Sequence, residues 1–227
     1  MLISKDLYIY KQIQSLNITQ EIENFPIEVH GVKSTGGLKS ALIIYLLAKE
    51  IQDKGHGTII QGNHDNKMFR WAKGNDVKLG KAQRDTLARV DFSIDLFRDL
   101  VLEVVPKQPF FVSYKNFFFT HGGVHPEFWE TKKITKKSME SVFLYGQVDN
   151  SKSVMWKGQP YAHRVYDWAE AIPRGQIVFV GHDRSPLSPE PNFEDNLKMP
   201  LVYYTKKEER VIFLDTGSGK GGTLSGC

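Results

Sequence analysis

The chain has 227 residues, enough to bury the core of one domain, and its 41% hydrophobic and 25% charged content is that of a globular protein rather than a disordered tail. Its net charge of +4 permits an anionic substrate, but the basic residues are spread along the chain and do not by themselves call for nucleic acid. The single cysteine, Cys227, excludes an internal disulfide and a CxxC metal site. Met1–Asp6 lacks the apolar core of a signal peptide and no run approaches the ~20 apolar residues of a membrane span, so the expected location is the cytoplasm, with no membrane partner.

Residues 1–26 carry little pattern beyond a short helical stretch at Leu7–Leu16. Ile27–Gly31 alternates as a strand would, and a glycine-rich loop runs to Gly36-Gly37. Leu42, Ile43, Leu46, Leu47 and Ile51 then share one face of a helix predicted over 38–54, with Gly55 at its C-cap. Thr58–Ile60 reads as a buried strand that breaks into Gly62-Asn63-His64-Asp65, so residues 27–65 predict a strand–helix–strand crossover.

A helical turn follows at Met68–Ala72, then helical periodicity from Lys81 to Val105, divisible into two helices and stopped by Pro106. Pro109–Tyr114 and Phe117–Thr120 predict strands joined by a Lys115-Asn116 hairpin turn. Residues 124–164 read as loop-rich, Asp167–Ala171 as a short helical piece, and Ile177–Val180, Leu201–Thr205 and Val211–Leu214 as strands. The expected class is α/β, a single domain of packed sheets flanked by helices.

Three apolar runs end alike. Thr58–Ile60 enters Gly62-Asn63-His64-Asp65, Phe117–Thr120 enters His121-Gly122-Gly123, and Ile177–Val180 enters Gly181-His182-Asp183. Taken singly, each histidine reads as a polar residue closing a strand. As a set, Asn63, His121 and His182 offer an amide oxygen and two imidazoles, good ligands for a borderline divalent metal if their strands are neighbours. His64 points to another side of the same loop, where it can donate a proton to a leaving oxygen. His125 and His163 have no comparable context, and His56 reads as a surface histidine near a helix C-terminus.

In this order, Gly-Asn-His-Asp, His-Gly-Gly and Gly-His resemble the motifs of the calcineurin-like metallophosphoesterases. Lys73–Gly80, Leu144-Tyr145-Gly146, Asp215-Thr216-Gly217 and Gly221-Gly222 are similar to the subgroup of bacterial bis(5'-nucleosyl)-tetraphosphatase-like proteins and bacterial polynucleotide kinase-phosphatase phosphatase domains. The resemblance covers residues 38–226. It implies an α/β/β/α sandwich of two mixed sheets flanked by helices, with a metallophosphoesterase domain over 38–227.

By motif position it implies Asn63, His121 and His182 as metal ligands, His64 as the catalytic acid and Arg164 as a phosphate-binding residue. The implied cofactor is one or two divalent ions, Mn2+ first and Fe, Zn or Ni as alternatives. The implied substrate is a phosphorylated small molecule, a nucleotide or a phosphoprotein. Nucleic acid has only weak support, since no kinase phosphate-binding loop is present.

The front half departs from that family. Neither Asp-x-His-Gly nor Gly-Asp-x-x-Asp-Arg-Gly occurs, and residues 1–37 form a degenerate N-terminal segment. Glu28-Val29-His30-Gly31 is one imperfect counterpart. Gly31–Gly36 is the other and has the better spacing to Asn63, with Ser34-Thr35 where Asp-Arg is expected. The expected fold therefore lacks part of its N-terminal portion, by truncation, a shifted reading frame or divergence. Without those carboxylates, a non-catalytic binding module is the alternative to a hydrolase.

Overall fold

The computed structural model describes residues 49–50, 52–55, 57–89, 94–156, 159–182 and 200–215. The 1–37 segment with both front-motif counterparts, His56, Asp183 and Thr216–Gly222 lie outside the described residues. Of the helix predicted over 38–54, Lys49, Glu50, Gln52 and Asp53 are described and are helical.

The fold is α/β, built on a five-stranded mixed sheet of order β1-β2-β5-β7-β6. Here β1 is Phe111–Tyr114, β2 Phe117–Thr120, β5 Ile177–Val180, β6 Leu201–Tyr204 and β7 Arg210–Phe213. The three central strands run parallel, and among the described residues an antiparallel strand lies at each edge. Near-continuous apolar sequences such as Phe-Phe-Phe-Thr and Ile-Val-Phe-Val suit central strands covered on both faces. Lys115 takes φ 55 in the two-residue turn between β1 and β2, as the predicted hairpin requires.

On one face, Phe118, Val178, Val180, Val211 and Phe213 pack against Phe128, Met139, Phe143, Trp168 and Ile172. Helices α4 (Phe128–Thr131) and α5 (Lys137–Tyr145) supply the first three of these partners, and a 3-10 turn at Asp167–Ala171 supplies Trp168. Phe111, Phe118, Phe128 and Phe143 form an aromatic knot with ring centroids 4.8 to 6.4 Å apart. Each buried Phe contributes ~1.5–3 kcal/mol by area, and favourable ring pairs add ~0.5–1.5 kcal/mol. On the other face Phe119 stacks on Phe179 at 4.7 Å.

The buried members of a second cluster are all helical. Met68 and Ala72 of α1 (Asn63–Ala72) meet Phe97, Leu100, Val101 and Val104 of α3 (Ile94–Val104) and Val105 of the following 3-10 turn. Positions 97, 100, 101 and 104 recur at helical spacing and form the buried stripe. Helix α2 is Lys81–Arg89, residues 90–93 between it and α3 lie outside the described residues, and Pro106 sits in the turn that ends α3.

Two expectations are corrected. Thr58–Ile60 belongs to no strand: Gln61 N–H donates to the Pro109 carbonyl at 2.9 Å, and Pro109 has no N–H with which to return the bond and extend a ladder. Residues 124–164 are not loop-rich. They hold α4, α5 and a ribbon of β3 (Gln147–Trp156) with β4 (Gln159–Val165), whose register shifts between Asp149 and Ser153. Polar and lysine-rich sequence hid these elements, because two-stranded ribbons bury too little to show a strong apolar pattern. Among the described residues this ribbon is the only sheet beside the five-stranded one. No helix among them is long and apolar enough to cross a membrane.

Candidate functional site

Parallel register creates the site. Thr120 pairs with Val180 at the ends of β2 and β5, so His121 and His182 emerge side by side just beyond the sheet. Gly181 N–H donates to the His121 carbonyl at 2.9 Å, and Leu214 N–H to the Val180 carbonyl at 2.7 Å, which carries the backbone ladder past the strands. The third contributor is the first turn of α1. Gly62 is its N-cap, Asn63 its first residue, and the Asp65 carboxylate accepts the Gly62 N–H at 3.0 Å, suiting an acid in a helix's first turn. The motif read as a strand-ending loop is thus a helix start.

The structure brings Asn63, His121 and His182 together. Asn63 Oδ1 lies 3.0 Å from His121 Nε2, and His182 Nδ1 lies 3.1 Å from the same nitrogen. The imidazoles are 4.9 Å apart between centroids and tilted at 59°. A Cβ on Gly62 would stand 3.4 Å from the His121 ring, so a side chain there would crowd the cluster.

Arg164, on β4, completes it. Its Nη2 donates to His182 Nε2 at 2.8 Å, and its Nη1 donates to the Tyr145 carbonyl. The Tyr145 ring meets His182 edge-on, at 6.5 Å and 87°. Tyr145 ends α5, and Gly146 turns the chain with φ 72 and ψ 176, a conformation open in practice only to glycine. Gly122 packs directly on this turn: a Cβ there would fall 2.7 Å from Tyr145 N and 2.8 Å from Val142 O. Two glycines therefore let backbone touch backbone, and that contact sets where the Tyr145 carbonyl holds Arg164.

His64 is the second residue of α1 and is exposed, beside the cluster rather than in it. His125 is half-buried, its Nδ1 accepting the Glu127 N–H at 3.3 Å, and His163 is half-buried, its Nδ1 without a hydrogen-bond partner among the described residues. Asp215 follows the last described strand, β7, and is half-buried. Sequence reasoning gave Tyr145 no role. The Leu-Tyr-Gly triplet closing a helix was its visible signal, whereas the Gly122–Gly146 contact joins residues too far apart in sequence to be paired by reading.

Among the described residues no group of three or more His, Cys, Asp or Glu side chains gathers as a metal-holding set. The cluster is instead two imidazoles and an amide oxygen, all uncharged donors. Its hydrogen bonding is nonetheless informative. Arg164 can only donate, so His182 Nε2 accepts and the neutral His182 ring is protonated at Nδ1. That proton serves the lone pair of His121 Nε2, leaving Asn63 Oδ1 against an acceptor at 3.0 Å. A turned Asn63 amide would instead present an N–H to that lone pair.

No protein-family model matches the chain, and no curated protein matches it.

Proposed function

We propose that the chain is a phosphoesterase of metallophosphatase type, hydrolysing phosphate esters or anhydrides by metal-activated water. The observation that carries this reading is the meeting of Asn63 Oδ1, His121 Nε2 and His182 Nδ1 at 3.0 and 3.1 Å beyond parallel strands, with Arg164 alongside. These are the residues on which the resemblance places one metal and one phosphate contact. The reading takes the five-stranded sheet as the body of the sandwich and the cytoplasm as its setting.

The donor set fits a cation. An amide oxygen and two imidazoles suit a borderline divalent ion, Mn2+ first, and Asn63, His121 and His182 would hold it. When bound, the ion would polarise a phosphoryl oxygen and lower the pKa of a water. Arg164 would neutralise and orient the phosphate through its paired N–H groups. Exposed His64 would deliver a proton to the leaving oxygen, a contribution typically of ~10²–10⁴-fold.

The uncharged donor set also favours a second reading, a binding module that keeps the fold without catalysis. One experiment separates them: Mn2+ titration calorimetry and p-nitrophenyl phosphate hydrolysis on the wild-type chain, His64→Ala and His121→Ala. The hydrolase reading expects His121→Ala to lose Mn2+ affinity by at least ~10-fold, since outer-sphere changes alone commonly cost that much. It expects His64→Ala to bind Mn2+ as before and lose turnover. Mn2+ binding with no turnover in any form would leave the binding module.

A further inference from the structure

His182 is held at both ring nitrogens by groups that make opposite demands. Arg164 Nη2 stands 2.8 Å from Nε2 and needs a lone pair there, which puts the proton of the neutral ring on Nδ1. A cation held through Nδ1, the nitrogen 3.1 Å from His121 Nε2, needs the reverse: a lone pair on Nδ1 and the proton on Nε2. A protonated Nε2 would then face an arginine N–H at hydrogen-bonding distance. The two arrangements exclude each other. Like charge acts in the same direction, because a divalent ion on His182 would stand one ring away from a guanidinium.

We infer that Arg164 and a divalent cation are competing occupants of His182, so that a cation entering the cluster expels the guanidinium from the ring and makes it available to an anion. The inference rests on the metal-binding reading above. Arg164 keeps a second anchor during the exchange, because Nη1 donates to the Tyr145 carbonyl and that bond does not involve the imidazole. The side chain pivots instead of leaving, and Nη2 is the donor released. An oxyanion such as phosphate then satisfies Nη2 and screens it from the cation. Cation and anion therefore assist each other's binding by equal factors.

The test is Mn2+ titration calorimetry on the full chain, with and without inorganic phosphate, for wild type, Arg164→Ala and Arg164→Gln. Removing the competitor should tighten Mn2+ binding roughly tenfold in the absence of phosphate, the scale of one charge-assisted hydrogen bond. Phosphate should tighten Mn2+ binding in wild type but not in either variant. Equal or weaker Mn2+ affinity in both folded variants overturns the inference, because Arg164 would then merely support the ring.

A second readout needs no variant. With Zn2+ as a diamagnetic probe, the His182 Nε2 nitrogen resonance should move from unprotonated to protonated; an unchanged tautomer with Zn2+ bound also overturns the proposal. A wild-type chain that binds neither ion removes this inference and the metal-binding reading together. Mn2+ binding with unaltered behaviour in the variants removes only this one.

Discussion

His121 and His182 leave the sheet at the ends of two parallel strands, whereas Arg164 reaches the same spot from a two-stranded ribbon. The strands β2 and β5 are flanked by β1 and β7 and rest on the buried knot of Phe118, Phe128 and Phe143. The β3–β4 ribbon has a register shift and an exposed Met155, and among the described residues neither of its strands pairs with a third. The two histidines therefore follow strands seated on a buried core, whereas Arg164 sits on a ribbon outside that sheet. The site joins side chains from a packed sheet to one from a thin ribbon.

The widest contrast is in stability. Phe143→Ala, beneath the sheet end, should cost ~3–5 kcal/mol, and Val154→Ala in the ribbon about 0.5 kcal/mol, both read from urea denaturation midpoints. Equal losses would mean that the ribbon is as firmly packed as the sheet. A smaller effect tests the joint between the two regions. Gly146→Ala forces a side chain into φ 72, costing ~1–3 kcal/mol, and should shift the His182 ring resonances through Tyr145 and Arg164. Lost stability with unmoved His182 signals would break the link drawn between that turn and the site.

The smallest effect lies in the ribbon itself. The Ser151 hydroxyl, then the Ser151 N–H and Lys152, hold the Asp149 carboxyl at about 2, below its ordinary value of 3.8. A depressed carboxyl pKa gives a contribution that is complete above the unfolded value and fades as pH falls through the folded one. The local turn should therefore hold at pH 5 and loosen as pH falls from about 4 toward 2. A carbon-detected NMR titration should place the Asp149 midpoint near 2 in the wild type and higher in Ser151→Ala. An Asp149 midpoint near its ordinary value would show that the turn is not formed in solution.

Much of the sheet was legible because central strands declare themselves: Phe117–Thr120 and Ile177–Val180 are apolar but for Thr120, and a glycine follows within two residues of each strand end. The convergence of His121 and His182 was legible for the same reason, since strand ends beside one another place their next residues together; Asn63 joins them from the first turn of α1 and not from a strand end. Thr58–Ile60 misled because an apolar run signals burial, not a hydrogen-bonded ladder, and Pro109 offers no donor to make one. The ribbon and α5 were illegible because lysines and serines mask their period. Arg164 was suspected from motif position, but its hold on the Tyr145 carbonyl depends on two glycines closing against each other, a three-dimensional fact with no local signature.

The in-register pairing of β2 with β5 also governs which genetic changes the site can survive. Residues between His121 and Ile177 can be gained at a turn without disturbing Thr120 opposite Val180. A single codon gained or lost inside Ile177–Val180 would turn every following side chain to the opposite face, and His182 with them. Length variation among descendants of this chain should therefore gather in the ribbon and the connecting turns, and stop abruptly at the two four-residue strands that aim the histidines.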